Sequence, residues 1–194
     1  MLNKLFVSEV RVKILKLMLL NPEKSLHVRA IVRGVGAEIN AVRRELDNLI
    51  SIDLFRKRQS SNRIYYTVNT DHPFFGDLLS LVAKENGIAA KLYKGLKNLG
   101  EVEYIVLSKS FLRGRKSTAL DVDLFIVGDN IGEEFLEKLI KDEEAKIGRE
   151  INYSVMKSEE FKARKRTMDQ FVERFMSQGR AMIVGDEEKF CSTI

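Results

Sequence analysis

With 194 residues the chain has room for one large domain or two small ones, since a cooperative core takes about 100 to 200 residues. Its 44% hydrophobic content supplies a core, and 31% charge with two prolines and no glycine-rich or serine-rich tract excludes long disordered segments. Cys191 is the single cysteine, which excludes an intrachain disulfide and a cysteine-based zinc site. The most apolar run, Ile14 to Leu20, is interrupted by Lys16 and falls far short of the roughly 20 residues of a membrane span. Asn3, Lys4, Ser8 and Glu9 break up the opening residues, which lack the small-residue cleavage site of a signal peptide. The expectation is a cytoplasmic protein with no membrane partner. Residues 1–80 hold 13 Lys and Arg against 8 Asp and Glu, whereas residues 81–194 hold 20 against 20, so the excess positive charge belongs to the first part alone. A basic head on a neutral body is the charge layout of a polyanion-binding module carried by a second domain.

In chain order, Ser8 is a good N-cap, and Val10, Ile14, Leu17 and Met18 at helical spacing predict an amphipathic helix ending near Asn21-Pro22. Ser25 is expected to cap a shorter helix through Val28, Ile31 and Val32, stopped by Gly34-Val35-Gly36. A third helix places Ile39, Val42, Leu46 and Leu49 on one face and Asn40, Arg43, Arg44 and Asp47 on the other. The runs 54–58 and 63–68 read as two strands around the turn 59–62, a hairpin carrying Arg56, Lys57, Arg58 and Arg63.

Two helices joined by a glycine turn, a third helix bearing arginines, and a basic hairpin together resemble the winged helix-turn-helix of ArsR-like and MarR-like regulators, over about residues 5–70. The resemblance implies that the third helix enters the major groove of duplex DNA with Asn40, Arg43 and Arg44, while Arg56, Lys57, Arg58 and Arg63 of the hairpin follow the backbone or dip into the minor groove. Such contacts are salt-sensitive. A winged helix also serves elsewhere as a protein-interaction module, so an antitoxin-like role stands as an alternative.

Beyond Asp71-His72-Pro73, a helix over 74–82 and a second over 88–99, separated near Gly87, form a helical connector. Phe74, Phe75, Leu78, Leu81 and Val82 either build a homodimer contact or pack on their own domain. His27 and His72 have no sequence partner that suggests metal or catalysis, and both read as structural.

Glu103 to Leu107 predicts a buried strand, and 121–127 another. Alternation along a strand places Asp121 and Asp123 on one face, and two carboxylates on an apolar strand are explained by a hard cation such as magnesium. The segment SKSFLRGRKSTALDVDLFIV resembles the signature of the minimal nucleotidyltransferases of the polymerase-beta superfamily: Ser110 in the Gly-Ser turn, Arg113-Gly114 as the Arg-Gly pair, Asp121 and Asp123 as the metal pair. The resemblance covers about residues 100–190. It implies that Lys109, Ser110 and Arg113 hold a nucleoside triphosphate and that the aspartates hold magnesium. Three positions depart from the pattern. Lys109 replaces the glycine, Leu120 replaces the serine before the first aspartate, and Asn152 stands where a third carboxylate is expected; the further metal-ligand candidates are Asn152, through its amide oxygen, or Glu150, two residues before it on the same strand face, which would supply the missing charge. A helix over 133–146 crosses between the strands, Ser158 caps a long helix to about Gln178, and 181–184 is a last strand.

The fold expected is therefore α+β: a winged helix-turn-helix over 1–72, a helical connector over 73–99, and a nucleotidyltransferase-like mixed sheet with flanking helices over 100–194. The function expected is a dimeric DNA-binding transcription regulator with a degenerate nucleotidyltransferase-like domain. The rivals are an active magnesium-dependent nucleotidyltransferase delivered by its winged-helix head, and the antitoxin-like module. No cofactor is certain from the sequence; magnesium and a nucleoside triphosphate are the ones it admits.

Overall fold

The computed structural model describes residues 2–115, 118 and 121–192. The chain is mixed α+β with two separate sheets, and it divides into two units, Met1–Glu85 and Asn86–Ile194. Among the described residues no helix is long and apolar enough to cross a membrane.

In the first unit, α1 (Leu2–Leu5) precedes α2 (Glu9–Leu19), whose start is fixed as expected by Ser8, its Oγ accepting from the Arg11 backbone N–H at 3.2 Å. Helix α2 buries Val12, Ile14, Leu15, Met18 and Leu19 and packs against α3 (Val28–Val35), α4 (Ile39–Ser51) and α5 (Phe75–Lys84). Ser25 does not cap α3. The two-residue strand β1 (Leu26–His27) pairs with Tyr66 and Tyr65 of β3 (Arg63–Val68), which keeps the chain extended past Ser25, and His27 becomes the N-cap. Gly36, at φ 61°, ends α3 in the left-handed conformation that glycine adopts without steric cost.

Helix α4 turns Val42, Leu46 and Leu49 inward, as its periodicity predicts, and also buries Glu45. A buried carboxylate needs a partner, and Arg11 of α2 supplies one with Nε 2.8 Å from Oε2. Burial pushes the Glu45 carboxyl upward, but hydrogen bonds from Ser8, Arg11 and Asn48 and the charge of Arg11 outweigh it and hold the group below its ordinary range. The hairpin of β2 (Phe55–Ser60) and β3 is paired out to Ser60 opposite Arg63, so the turn is only Ser61 and Asn62. Helix α5 buries Phe75, Leu79, Val82 and Ala83, while Phe74 just before it and Leu81 on it are exposed.

The second unit starts with α6 (Gly87–Lys94) and α7 (Leu96–Leu99), a helical stretch interrupted at Gly95, where a side chain would collide with the Phe135 ring. Its sheet has the order β6-β5-β4-β7, built from β4 (Glu101–Ser108), β5 (Leu124–Asp129), β6 (Tyr153–Met156) and β7 (Arg180–Val184). Strands β5 and β6 are parallel and joined through α9 (Glu133–Ile147); the other pairs are antiparallel. Lys91 of α6 is tied to the buried Glu143 of α9 at 2.7 Å. The short helices α8 (Lys109–Leu112) and α12 (Glu187–Cys191) follow β4 and β7. The helix expected from Ser158 to Gln178 is two helices, α10 (Ser158–Arg166) and α11 (Gln170–Ser177). Met168 turns left-handed at φ 51°, and Asp169 caps α11 through the N–H groups of Phe171 and Val172. Phe161, Phe175 and Phe190, from α10, α11 and α12, close with Tyr104 and Phe125 into one aromatic cluster, ring centres 4.8–6.3 Å apart. Each such ring, fully buried, contributes about 1.5–3 kcal/mol.

Replacing Glu45 by alanine removes the acceptor that joins α2 to α4. The variant is expected to unfold about 1.5–3 kcal/mol more easily in denaturant titrations near neutral pH. Because the folded-state pKa is depressed, the wild type holds this stabilisation above the ordinary carboxylate range and loses it as pH falls through the folded value. The difference between wild type and variant should therefore shrink on the acid side of 4.5; a difference that stays constant with pH would show that the pair carries no net weight.

Candidate functional site

In the first unit, α3, α4 and β3 enclose a cleft of about 800 Å³. Arg29 and Arg33, one turn apart on α3, stand at its rim together with Arg43 of α4 and Arg63 of β3. No carboxylate is among the described residues that line it, and none of these four guanidinium groups is in an ion pair with a described residue. Val28, Val32, Ile64, Asn62, Tyr66 and His27 complete the lining. The Tyr66 hydroxyl is pushed upward by burial and by Asp47, against the opposing charge of Arg43, so it stays protonated. His27 accepts the Ala30 N–H on Nδ1 at 3.0 Å, which places the ring proton of the neutral form on Nε2.

The pleat of the hairpin sorts its cations. Lys57 lies opposite Tyr66 and shares its face with Ile64, the side that bounds the cleft. Arg58 lies opposite Tyr65 on the reverse side, where Ser25, Arg58, Ser60 and Tyr65 line a smaller recess of about 240 Å³. Arg56 shares that reverse face and sits 3.8 Å from Asp71. Arg63, at the end of β3 beside the turn, reaches the cleft. On α4, Asn40, Arg43, Arg44 and Asp47 are all exposed, but only Arg43 lines the cleft. Of the seven residues expected on a DNA surface, the structure therefore gathers Arg43 and Arg63, keeps Lys57 on the same side, leaves Asn40 and Arg44 on the outer face of α4, and turns Arg56 and Arg58 away. Arg29 and Arg33 were missed; their spacing of four on the polar side of α3 was the available signal. The arrangement suits a polyanion, because convergent unpaired guanidinium groups bind phosphate oxygens with charge-assisted hydrogen bonds.

The second unit holds the residues expected to bind nucleotide and metal. Ser108, the last residue of β4, caps α8 by accepting the Phe111 N–H at 3.0 Å. The Lys109 N–H donates to Gly179 at 2.8 Å, and those of Arg113, Gly114 and Arg115 turn back to Lys109, Phe111 and Ser110. These backbone donors are committed within the protein rather than arrayed toward a phosphate. Ser110 is exposed and Arg113 half-buried. Arg149 braces the turn, donating to the carbonyls of Phe111 and Arg115 with its guanidinium 4.6 Å from the Phe111 ring centre. Leu120 lies outside the described residues.

Asp121 and Asp123 precede β5, which begins at Leu124, and their surroundings differ. Asp121 is exposed; its Oδ2 accepts the N–H and hydroxyl of Thr118 at 2.7 and 2.9 Å, and these bonds lower its pKa, helped by the charge of Arg174. Asp123 is 1% exposed, and its Oδ2 accepts the Asn152 N–H at 3.1 Å while its own N–H donates to the Asn152 carbonyl at 2.7 Å. Strand β6 starts only at Tyr153, so Asn152 and Glu150 are not strand residues as expected: the backbone at Asn152 is taken up by Asp123 and Leu124, and its side-chain amide by the Thr118 carbonyl at 2.9 Å. Glu150 is exposed. Among the described residues no group of three or more His, Cys, Asp or Glu is placed to hold a metal ion. One sealed carboxylate, one paired to a threonine and one amide donor do not fit a two-metal centre, which uses facing carboxylate oxygens.

Comparison with protein-family models, with curated proteins and with solved structures gave no match.

Arg149→Ala takes two carbonyl acceptors' partner away from the turn after α8. The expected outcome is a loss of about 1–3 kcal/mol in thermal or denaturant unfolding, with amide exchange accelerated at 111–115; unchanged exchange there would show that the turn is held by other contacts.

Proposed function

We propose that this chain is a DNA-binding transcription regulator whose first unit is a winged helix-turn-helix. The observation that supports it most is the cleft between α3, α4 and the hairpin: four guanidinium groups from three elements, with no ion pair to a described residue and no carboxylate among the described residues of the lining. In this reading α4 presents Asn40, Arg43 and Arg44 to base edges in the major groove. Arg29, Arg33, Arg43 and Arg63 neutralise the phosphodiester backbone beside it, with Lys57 on the same side. Arg56 and Arg58 contribute from the other side of the hairpin. A homodimer belongs to the proposal, and of the residues expected in its contact Phe74 and Leu81 are the exposed ones.

For the second unit we propose a nucleotidyltransferase-like frame that no longer transfers nucleotides. Asp121 and Asp123 remain, but the hydrogen bonds of Asn152 and Thr118 give them structural employment.

Two experiments test these readings. Arg43→Ala with Arg44→Ala should weaken binding to a fluorescent duplex by about 1–3 kcal/mol without altering the fold. Arg29→Ala with Arg33→Ala should lower the slope of log affinity against log salt by about two, at about 0.9 per phosphate contact. Affinity and slope indifferent to both pairs would remove this surface from DNA recognition. For the second unit, calorimetry with ATP and magnesium is expected to give no heat that Asp123→Asn abolishes; a clear Asp123-dependent signal would restore the active transferase.

A further inference from the structure

The rim of the cleft suits phosphate, but its lining asks for something more. Val28, Val32 and Ile64 line it beside the Tyr66 ring, and Ile64 keeps 46% of its surface exposed on the hairpin. A phosphodiester gains nothing from aliphatic side chains. A flat heteroaromatic ring does, by leaving water and by stacking on guanidinium planes. The volume, about 800 Å³, lies within the roughly 300–1,000 Å³ of small-molecule sites, which combine an apolar lining with a few convergent polar groups. Arg29 and Arg33 line the same space as Arg43 and Arg63, which come from other elements, so a short chain of phosphates finds several guanidinium partners there. His27 adds a ring N–H beside the start of α3.

We propose that this cleft binds a free nucleoside triphosphate, its phosphates among the four arginines and its base over Val32 and Ile64, and that nucleotide and DNA exclude one another there. The mutual exclusion rests on the DNA reading above; the nucleotide site does not. The site is built wholly from residues of the first unit and uses neither Asp121 nor Asp123.

The test uses the full chain, with ATP as probe in divalent-free buffer at fixed ionic strength, so that metal-dependent binding elsewhere is silent. Calorimetry should give saturable binding at one site, with inorganic triphosphate about tenfold weaker or worse because the base contact is missing. Arg29→Ala with Arg33→Ala should weaken ATP by about tenfold or more. Ile64→Ser should weaken ATP and leave inorganic triphosphate unchanged; circular dichroism checks that these exposed positions leave the fold intact. ATP should also displace a fluorescent duplex. Equal affinity for ATP and inorganic triphosphate, or ATP binding indifferent to the arginine pair, overturns the site. Duplex that binds normally while ATP gives no heat overturns it and leaves the DNA reading standing. ATP that binds with the stated dependences to a chain that binds no duplex supports the site and removes both the DNA reading and the exclusion.

Discussion

Guanidinium groups held round one concavity, with no carboxylate among the described residues that line it, repel one another, and a chain free to choose would spread them. Arg29 and Arg33 stand one helical turn apart, a spacing at which like charges destabilise a helix by about 0.2–0.5 kcal/mol, and Arg43 and Arg63 line the same cleft. What imposes the arrangement is the apolar underside of the same elements. Ile31 and Val35 of α3, Val42, Leu46 and Leu49 of α4, and Val68 with Tyr66 of β3 are buried, and burying these side chains at about 1.5–3 kcal/mol each outweighs the repulsion above them. The unpaired charge is then available to an anion, which is relieved of little solvation by the exposed rim and meets guanidinium groups already in place.

The hairpin shows how a strand's period of two edits a sequence-level surface. Arg56, Lys57 and Arg58 are consecutive, and read as a string they look like one basic patch. The register with Thr67, Tyr66 and Tyr65 divides them, Lys57 to the cleft side and Arg56 with Arg58 to the reverse. Register is a long-range property, set by which residue of β3 faces which residue of β2, and no local pattern discloses it. The same limit explains His27. A two-residue bridge to β3 moves the start of α3 past Ser25 and makes a histidine the cap, where capping preference alone favours the serine.

Much else was legible. The Ser8 cap, the apolar stripe of α4, the glycine stop of α3, the two strands of the hairpin and the strand through Leu124 to Val127 follow from periodicity and turn residues. Glu45 escaped, because a carboxylate among apolar positions reads as solvent-facing until Arg11 is brought to it from 34 residues away. Arg29 and Arg33 are silent in the sequence because a polar helix face looks the same whether it meets solvent or lines a cleft. In the second unit the helix after Ser158 breaks at Met168, a residue whose left-handed backbone nothing in its chemistry forecasts. Alternation puts Asp121 and Asp123 on one strand face, but β5 begins at Leu124, after both, and in irregular backbone alternation has no force: one side chain is exposed and the other sealed.

Helix α4 carries both problems at once, and its period keeps them apart. Its inner face is committed to Val42, Leu46, Leu49 and the Arg11–Glu45 pair, so its position over the core does not depend on what stands outside. Its outer face, with Asn40, Arg43, Arg44 and Asp47, makes no contribution to that core and is free to answer to a ligand. Asp47 is the exception within that face: its charge acts on Tyr66 in the same sense as burial, and opposes that of Arg43 on the same hydroxyl. A carboxylate one turn beyond Arg43 bounds the positive surface toward the C-terminal half of α4, so an anion meets attraction over the first two turns of the helix and repulsion past them. Arg43, which lines the cleft, and Asp47, which opposes it at Tyr66, thus lie one turn apart on the same helix face.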